Sequence, residues 1–424
     1  MIFFSIVELV NKFLGLYITG YLARILSPAD LGIYLSVLVT LGYAIEIAFF
    51  GSQSRHNADL ALDANYLSSK QFEARKALTA GFTVLAAIFL IGSLQAPRAR
   101  FHVEPLLLAL ACVPFTFDYI AYGSQRSQLV VAARLCSQLV AVTWVFIVAH
   151  GVVPSRDLLW GQSLQTCTLT LVVIIGLRWM KRLPGRAIAA GITRFPITRE
   201  DLRVAAQDQS KAFALRVLAL ALVSGELLLL TIVGNGLSGE LATSLRLVQV
   251  IFPFVVFYVD SSVVRVTSTA LRSYVRLVFA TAPLLLFASP AIVVVLFGRS
   301  YASYVEQIDG FLPAFILQAL LQYSIMVSLK DRSERALLLR LLLPIVVGAA
   351  LLGIVIARGA SLLQLEAIYT IKAVLFVLVV PGLTRSLRIA GMAVVVAIAV
   401  ANPALQHAGY YDAITGLVAG LHRG

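Results

Sequence analysis

Apolar runs of about 20 residues recur along the chain, parted by short polar stretches, and this rhythm predicts helices long enough to cross about 30 Å of hydrocarbon. Six lie near 2 to 23, 31 to 51, 77 to 97, 101 to 123, 129 to 149 and 157 to 177. Six more lie near 204 to 233, 241 to 263, 275 to 297, 308 to 329, 336 to 357 and 362 to 382. The last apolar piece, 389 to 405, is short enough to be either a thirteenth span or a partly buried tail. Between the two sets, 178 to 203 carries Arg178, Lys181, Arg182, Arg186, Arg194, Arg199 and Arg203, with Pro184, Gly185, Gly191 and Pro196 as breakers. The expected organisation is an N-terminal lobe of six spans at 1–177, a basic linker at 178–203, a C-terminal lobe of six spans at 204–388, and a short extra span or tail at 389–424.

Composition agrees with an all-α polytopic membrane protein. With 60% hydrophobic and 13% charged residues and a mean hydropathy of +0.91, the chain has too little polar surface for a soluble fold. The net charge of +13 is spread over the loops rather than gathered on one face, which argues for anionic lipid and against nucleic acid as its counterpart. Placing the N-terminus in the cytoplasm puts 22 of the 34 basic residues in the even loops and 8 in the odd loops and tail. By the positive-inside rule that is the expected orientation, with the basic linker cytoplasmic. The chain opens directly into its first apolar run, without the basic start and small-residue cleavage site of a removable signal, so the first helix is expected to stay.

Several chemistries find no support. No outer loop exceeds about a dozen residues by this map, which leaves no room for an extracytoplasmic catalytic domain, so the expectation is not an enzyme. Gly234, Gly236 and Gly239 spell G-x-G-x-x-G, but they follow a long apolar helix rather than a strand and read as a turn. The phosphate-loop pattern of ATPases is absent. Cys112, Cys136 and Cys167 fall inside apolar runs without pairing spacing. The five histidines are scattered without ligand spacing, so no metal and no cofactor is expected.

Short motifs carry a family resemblance. The run Ala23-Arg24-Ile25-Leu26-Ser27-Pro28-Ala29-Asp30-Leu31-Gly32-Ile33-Tyr34, then Phe49-Phe50-Gly51, resembles the start of polysaccharide flippases of the multidrug/oligosaccharidyl-lipid/polysaccharide exporter superfamily. Leu296-Phe297-Gly298-Arg299-Ser300-Tyr301 resembles that family's recurrent Phe-Gly-x-x-Tyr turn. The resemblance implies translocation of undecaprenyl-pyrophosphate-linked oligosaccharide across the bacterial inner membrane, for O-antigen or another surface polysaccharide. It also implies a monomer that works with membrane lipids and with polysaccharide polymerase and chain-length machinery. A weak echo between 26–54 and 235–263 adds a hint of internal repetition, as in many carriers.

Charged groups at bilayer depth cost a few kcal/mol unless they face a bundle interior or a wet cavity, so each is a candidate for function. At 100° per residue, Ser5, Glu8, Lys12, Gly15 and Thr19 share a face of the first helix, with Asn11 at its edge. Asp208 and Glu226 are five turns apart on the seventh, with Lys211 beside that face and Arg216 about 80° away. Arg246, Gln249, Pro253 and Asp260 align on the eighth helix, and Glu366, Tyr369 and Thr370 on the twelfth, with Lys372 pointing away from the Glu366 face. The expected phosphate-facing cations are Lys12, Lys211 and Arg216. Asn11, Gln249, Gln318 and Gln322 are the expected sugar-facing amides, and Glu8, Asp208, Glu226, Asp260 and Glu366 the groups that set charge or carry H+ or Na+. Structural readings stand beside these: Glu8 and Lys12 are spaced to neutralise each other, Lys211 and Arg216 sit where they can snorkel to headgroups, and Glu226 can pair with a neighbouring helix. Two other functions stay open, a multidrug and toxin extrusion antiporter with a net acidic cavity, and a non-transporting scaffold for polysaccharide enzymes with a solid centre.

Overall fold

A computed structural model describes residues 2–52, 56, 66–95, 97, 101–123, 127–180, 196–233, 241–245, 268–298, 301, 309–330, 334–358, 361–380 and 383–414. These residues form an all-helical, polytopic arrangement, and nine of the described helices are long and apolar enough to cross a membrane. The chain divides into two compact units, one of Met1–Ile18 with Val37–Val217 and one of Thr19–Ser36 with Leu218–Gly424.

The long helices of the first half are α1 (Ile2–Ile25), α2 (Pro28–Phe49) and α3 (Lys70–Ser93). Pro28 opens α2 at a position where its missing N–H costs nothing, and the Ser27 hydroxyl caps it by accepting from the Asp30 N–H at 3.2 Å. Ser69 does the same for α3, accepting from Phe72 N–H at 3.1 Å. The interval 101–123, expected as one span, is instead α4 (Pro105–Ala111), a 3-10 turn at Val113–Phe115 and α5 (Asp118–Gly123). Pro114 sits in that turn and can give no backbone donor to a continuing α-helix. Two further helices follow, α6 (Ser127–Ala149) and α7 (Trp160–Trp179), which pack along each other in the first unit. A core of Tyr66, Phe72, Phe117, Ile120, Val130, Val173 and Leu177 closes this unit. Here Cys112 and Cys167 meet with their sulfurs 3.4 Å apart, a neighbourhood that spacing along the chain gave no sign of. Both are free thiols.

Helix α8 (Arg199–Val233) begins inside the interval expected as linker, whose residues 181–195 lie outside the described ones. The remaining helices are α9 (Ser268–Phe297), α10 (Leu312–Lys330), α11 (Glu334–Ala357), α12 (Leu362–Val379) and α13 (Arg385–His407). In the second unit α12 packs on α10, α11 and α13. Ser361 and Gln364 start α12 with a reciprocal capping box. At 23 residues, α13 is long and apolar enough to be a span, which answers the open question about 389–405 by length and composition. Gly391 of α13 lies so close against the Phe279 ring of α9 that no side chain fits between them. Both the G-x-G-x-x-G turn and most of the second member of the 26–54 and 235–263 echo fall outside the described residues.

The two motifs behind the family resemblance turn out to be helix ends. At the end of α2, Phe50 and Gly51 have φ of 45° and 73°, the left-handed conformation that ends a helix. A Cβ on Gly51 would lie 2.6 Å from the Gln209 carbonyl oxygen and 2.7 Å from the Phe213 nitrogen, so only glycine lets α2 end against α8. Phe50 stacks on Phe82 at 3.9 Å between ring centroids and packs on Phe213 at 4.9 Å. Gly298, with φ of 90°, ends α9. The Tyr301 N–H then donates to its carbonyl at 3.2 Å while the fully buried Tyr301 ring packs near Phe297.

Candidate functional site

Each unit holds a charged cluster in its interior. In the first, Arg75 on α3 is 1% exposed and donates through Nη2 to Asp208 Oδ2 on α8 at 2.5 Å. Its Nη1 donates to the Tyr66 hydroxyl oxygen at 2.7 Å. The same hydroxyl is hydrogen-bonded to His56 Nδ1, 2.8 Å away. Burial pushes His56 down to about 3 and the nearby Arg75 charge adds to this, so the ring stays uncharged. The result is a chain from carboxylate to guanidinium to phenol to imidazole. Beside it, Gln209 is fully buried, and neither of its amide atoms has a hydrogen-bond partner among the described residues.

In the second unit, Lys372 on α12 donates to both oxygens of Glu226 on α8, at 2.7 Å each. Their side chains are 0% and 4% exposed. Enclosure this complete requires close backbones, and Gly348 of α11 supplies them, since a Cβ there would lie 2.7 Å from Lys372 Cδ and 3.0 Å from Glu226 Oε1. The same face of α12 carries Tyr369, whose hydroxyl donates to the Val223 carbonyl at 2.9 Å and whose ring lies 4.7 Å from the Lys372 ammonium. That carbonyl sits beside a break in α8, where Ser224 has the non-helical φ of −137° and ψ of 16°. Tyr369 and Lys372 thus hold the two sides of the kink.

A third polar region lies at the start of α12. Glu366 faces a cavity of about 560 Å³ that it shares with Thr370, Gly310 and residues of α13. Its carboxylate packs directly against the Gly310 backbone, leaving no space for a Cβ there. Asp309, next in the chain, is fully buried and accepts a hydrogen bond from Ser289 on α9.

The residues singled out from sequence are distributed over these surroundings. Asp208 is in the first cluster and Glu226 in the second, each in an ion pair, while Glu366 lines the cavity. Asn11 is 6% exposed and donates to the Val131 carbonyl at 3.4 Å, which ties α1 to α6 within the first unit. Lys211 and Arg216 are exposed on α8, and Gln318 is half-buried on α10. The side chains of Glu8, Lys12 and Gln322 and the whole of Gln249 and Asp260 lie outside the described residues. Sequence reasoning passed over Arg75, counted as a loop cation, His56, set aside with the other histidines, and Lys372, noted as pointing away from Glu366. That last geometry was right, and it is what aims Lys372 at Glu226. Among the described residues no group of three or more His, Cys, Asp or Glu is placed to hold a metal.

Comparison with known proteins extends the picture. No protein-family model and no curated protein sequence matches the chain. Solved structures do match: a lipid II flippase MurJ in an inward closed conformation aligns with 99% of this chain and 97% of its own, at a TM-score of 0.60 and 12% identity. An inward-facing multidrug resistance MATE family transporter of the MOP superfamily aligns with 95% of this chain and 98% of its own, at a TM-score of 0.55 and 11% identity. The chain has the fold of these exporters. It keeps that fold from end to end with little sequence in common, so the likeness lies in span order and packing.

Proposed function

We propose that this protein moves undecaprenyl-pyrophosphate-linked oligosaccharide across the bacterial cytoplasmic membrane by alternating access, with its N-terminus in the cytoplasm. The observation that carries the reading is the alignment of 99% of the chain with a lipid II flippase, together with the short flippase-like motifs that form the turns after α2 and α9. A pyrophosphate and a glycan cannot cross hydrocarbon unaided, whereas the polyprenyl tail prefers to stay there. In the proposed mechanism the exposed cations Lys211 and Arg216, with Lys12 on α1, meet the pyrophosphate, and Asn11, Gln249, Gln318 and Gln322 meet sugar. Asp208 and Glu226, balanced by Arg75 and Lys372, fix α8 to its neighbours, while Glu8, Asp260 and Glu366 set the charge of the path. Two six-span lobes, 1–177 and 204–388, alternate access to it. Outward movement of about two negative charges down an inside-negative potential of 100 mV contributes roughly 4 to 5 kcal/mol, to which H+ or Na+ exchange adds.

In a deletion strain, the expected outcome is accumulation of lipid-linked glycan on the inner leaflet and loss of surface polysaccharide, restored by the wild-type gene. The double variant Lys12→Ala, Arg216→Ala should fail to restore it at normal protein level. Full surface polysaccharide from that variant would overturn the cation assignment. The likeness to a multidrug transporter favours a second reading, an organic-cation antiporter, which predicts dye efflux by the wild-type protein and no glycan phenotype.

A further inference from the structure

The cavity between α12 and α13 carries one acid, Glu366, on a wall it shares with the Thr370 hydroxyl and the amides of Asn402 and Gln406. Glu366 presents a carboxylate with neither an ion pair nor a hydrogen bond among the described residues, although it lies in a membrane span, where an unpaired charge costs several kcal/mol. On the opposite wall is Pro403, which has no N–H to give the carbonyl four residues earlier. That carbonyl belongs to Ala399, itself a wall residue, so it lacks the bond that the helix would otherwise give it. Asn402, also on the wall, has its Oδ1 partnered by the Tyr411 hydroxyl at 2.7 Å. The Thr370 hydroxyl donates to the Glu366 backbone carbonyl at 3.0 Å and keeps its lone pairs for a donor. Behind Gly310, the fully buried Asp309 adds a second carboxylate, one oxygen of which has no partner among the described residues.

A cavity with an unpaired acid on its wall suits a cation that brings donors. At about 560 Å³ it has room for a group much larger than a single ion. Apart from the Gln406 amide the rest of the side-chain lining is apolar, including Leu362 and Ile371, and Leu363 at the rim is 71% exposed. Among the described residues no aromatic ring lines it, and such rings are the usual means of holding a quaternary ammonium group. A primary ammonium group has three N–H donors for the Glu366 carboxylate and its neighbouring oxygens. We propose that this cavity binds a primary ammonium group carried on an apolar body, with Glu366 as its counterion. Such a group reaches a span from two sources, an aminophospholipid of the surrounding leaflet or a free alkylamine.

The test uses the full-length purified protein and does not depend on any glycan. Short-chain phosphatidylethanolamine and phosphatidylcholine differ at the ammonium group and are compared by native mass spectrometry. The ethanolamine lipid should be retained about tenfold better, as expected for charge-assisted bonds that the choline lipid cannot make. Glu366→Gln should erase the preference, and Ala399→Leu, which fills the cavity and keeps the carboxylate, should weaken retention of the ethanolamine lipid. Displacement of that lipid by decylamine supports the same chemistry from the free source, and resistance to decylamine with the preference intact supports the lipid source. Equal retention of the two lipids by the wild-type protein, an unchanged preference in Glu366→Gln, or stabilisation by sodium ion or tetraphenylphosphonium in place of any amine would each overturn the proposal.

Discussion

The charged clusters of the two units are made from similar parts, a basic side chain, a carboxylate on α8 and a tyrosine, yet they are closed to different degrees. Asp208 is 34% exposed while its partner Arg75 is 1% exposed, so the first cluster is wet at its acidic end. Lys372 and Glu226 are sealed at 0% and 4%. Water can take over part of the partnership in the first cluster and none of it in the second. The first cluster also hands its hydrogen bonding on to a neutral histidine, whereas the second ends on a carbonyl at a helix break. The same pairing therefore serves as a joint with one open side in one unit and as an internal clamp in the other.

The sharpest way to break this comparison is to remove each cation in turn. Lys372→Met leaves a buried, unpaired carboxylate and should lower stability by about 3 to 5 kcal/mol, whereas Lys372→Met with Glu226→Leu should recover most of the loss. Arg75→Met should cost less, on the order of 2 kcal/mol, because Asp208 can hydrate. Thermal unfolding in detergent measures all three, and a double variant as unstable as Lys372→Met alone would show that the clamp is more than a pair of compensating charges.

The two phenylalanine-glycine turns give the next largest contrast. Gly51→Ala combines a left-handed φ with a clash against α8 and should cost about 3 kcal/mol. Gly298→Ala meets open space, so only the left-handed conformation opposes it, at about 1 kcal/mol. Equal losses in the two variants, read by the same unfolding assay, would mean that the close approach of α2 to α8 is not what selects glycine.

A further expected effect is one of pH and belongs to the first unit alone. His56 is held down to about 3 when folded, against about 6.5 when unfolded. The unfolded chain therefore takes up the proton first as pH falls. The histidine's contribution is intact above about 6.5 and erodes toward 3, reaching about 2 kcal/mol of lost stability by pH 5. Comparing unfolding of wild-type protein and His56→Gln at pH 7 and pH 5 isolates this slope. An identical loss in both proteins would show that His56 is not the group responsible.

How much of this was visible in the sequence differs by residue. Most of the spans follow from run length, whereas 389–405 was open between a span and a tail until α13 showed a helix of span length. Pro114 was present as a breaker, yet it was outweighed by an apolar run of span length, so one span was expected where two short helices and a turn occur. Glu226 was recognised as a buried acid that needed a partner. The partner, 146 residues away, could not be named. Arg75 was misjudged because a cation near a helix start looks the same whether it faces headgroups or a core.

Hydrophobic run length and the spacing of basic residues by themselves determined that this is a many-span helical membrane protein, because each helix satisfies its own backbone and must be apolar along its whole length to lie in lipid. The tertiary structure alone decided which charges neutralise one another, where glycine is obligatory and where a cavity opens. Those outcomes depend on side chains from helices far apart in the chain meeting at distances of a few ångströms, and the periodicity of any one helix holds no information about its neighbour's register.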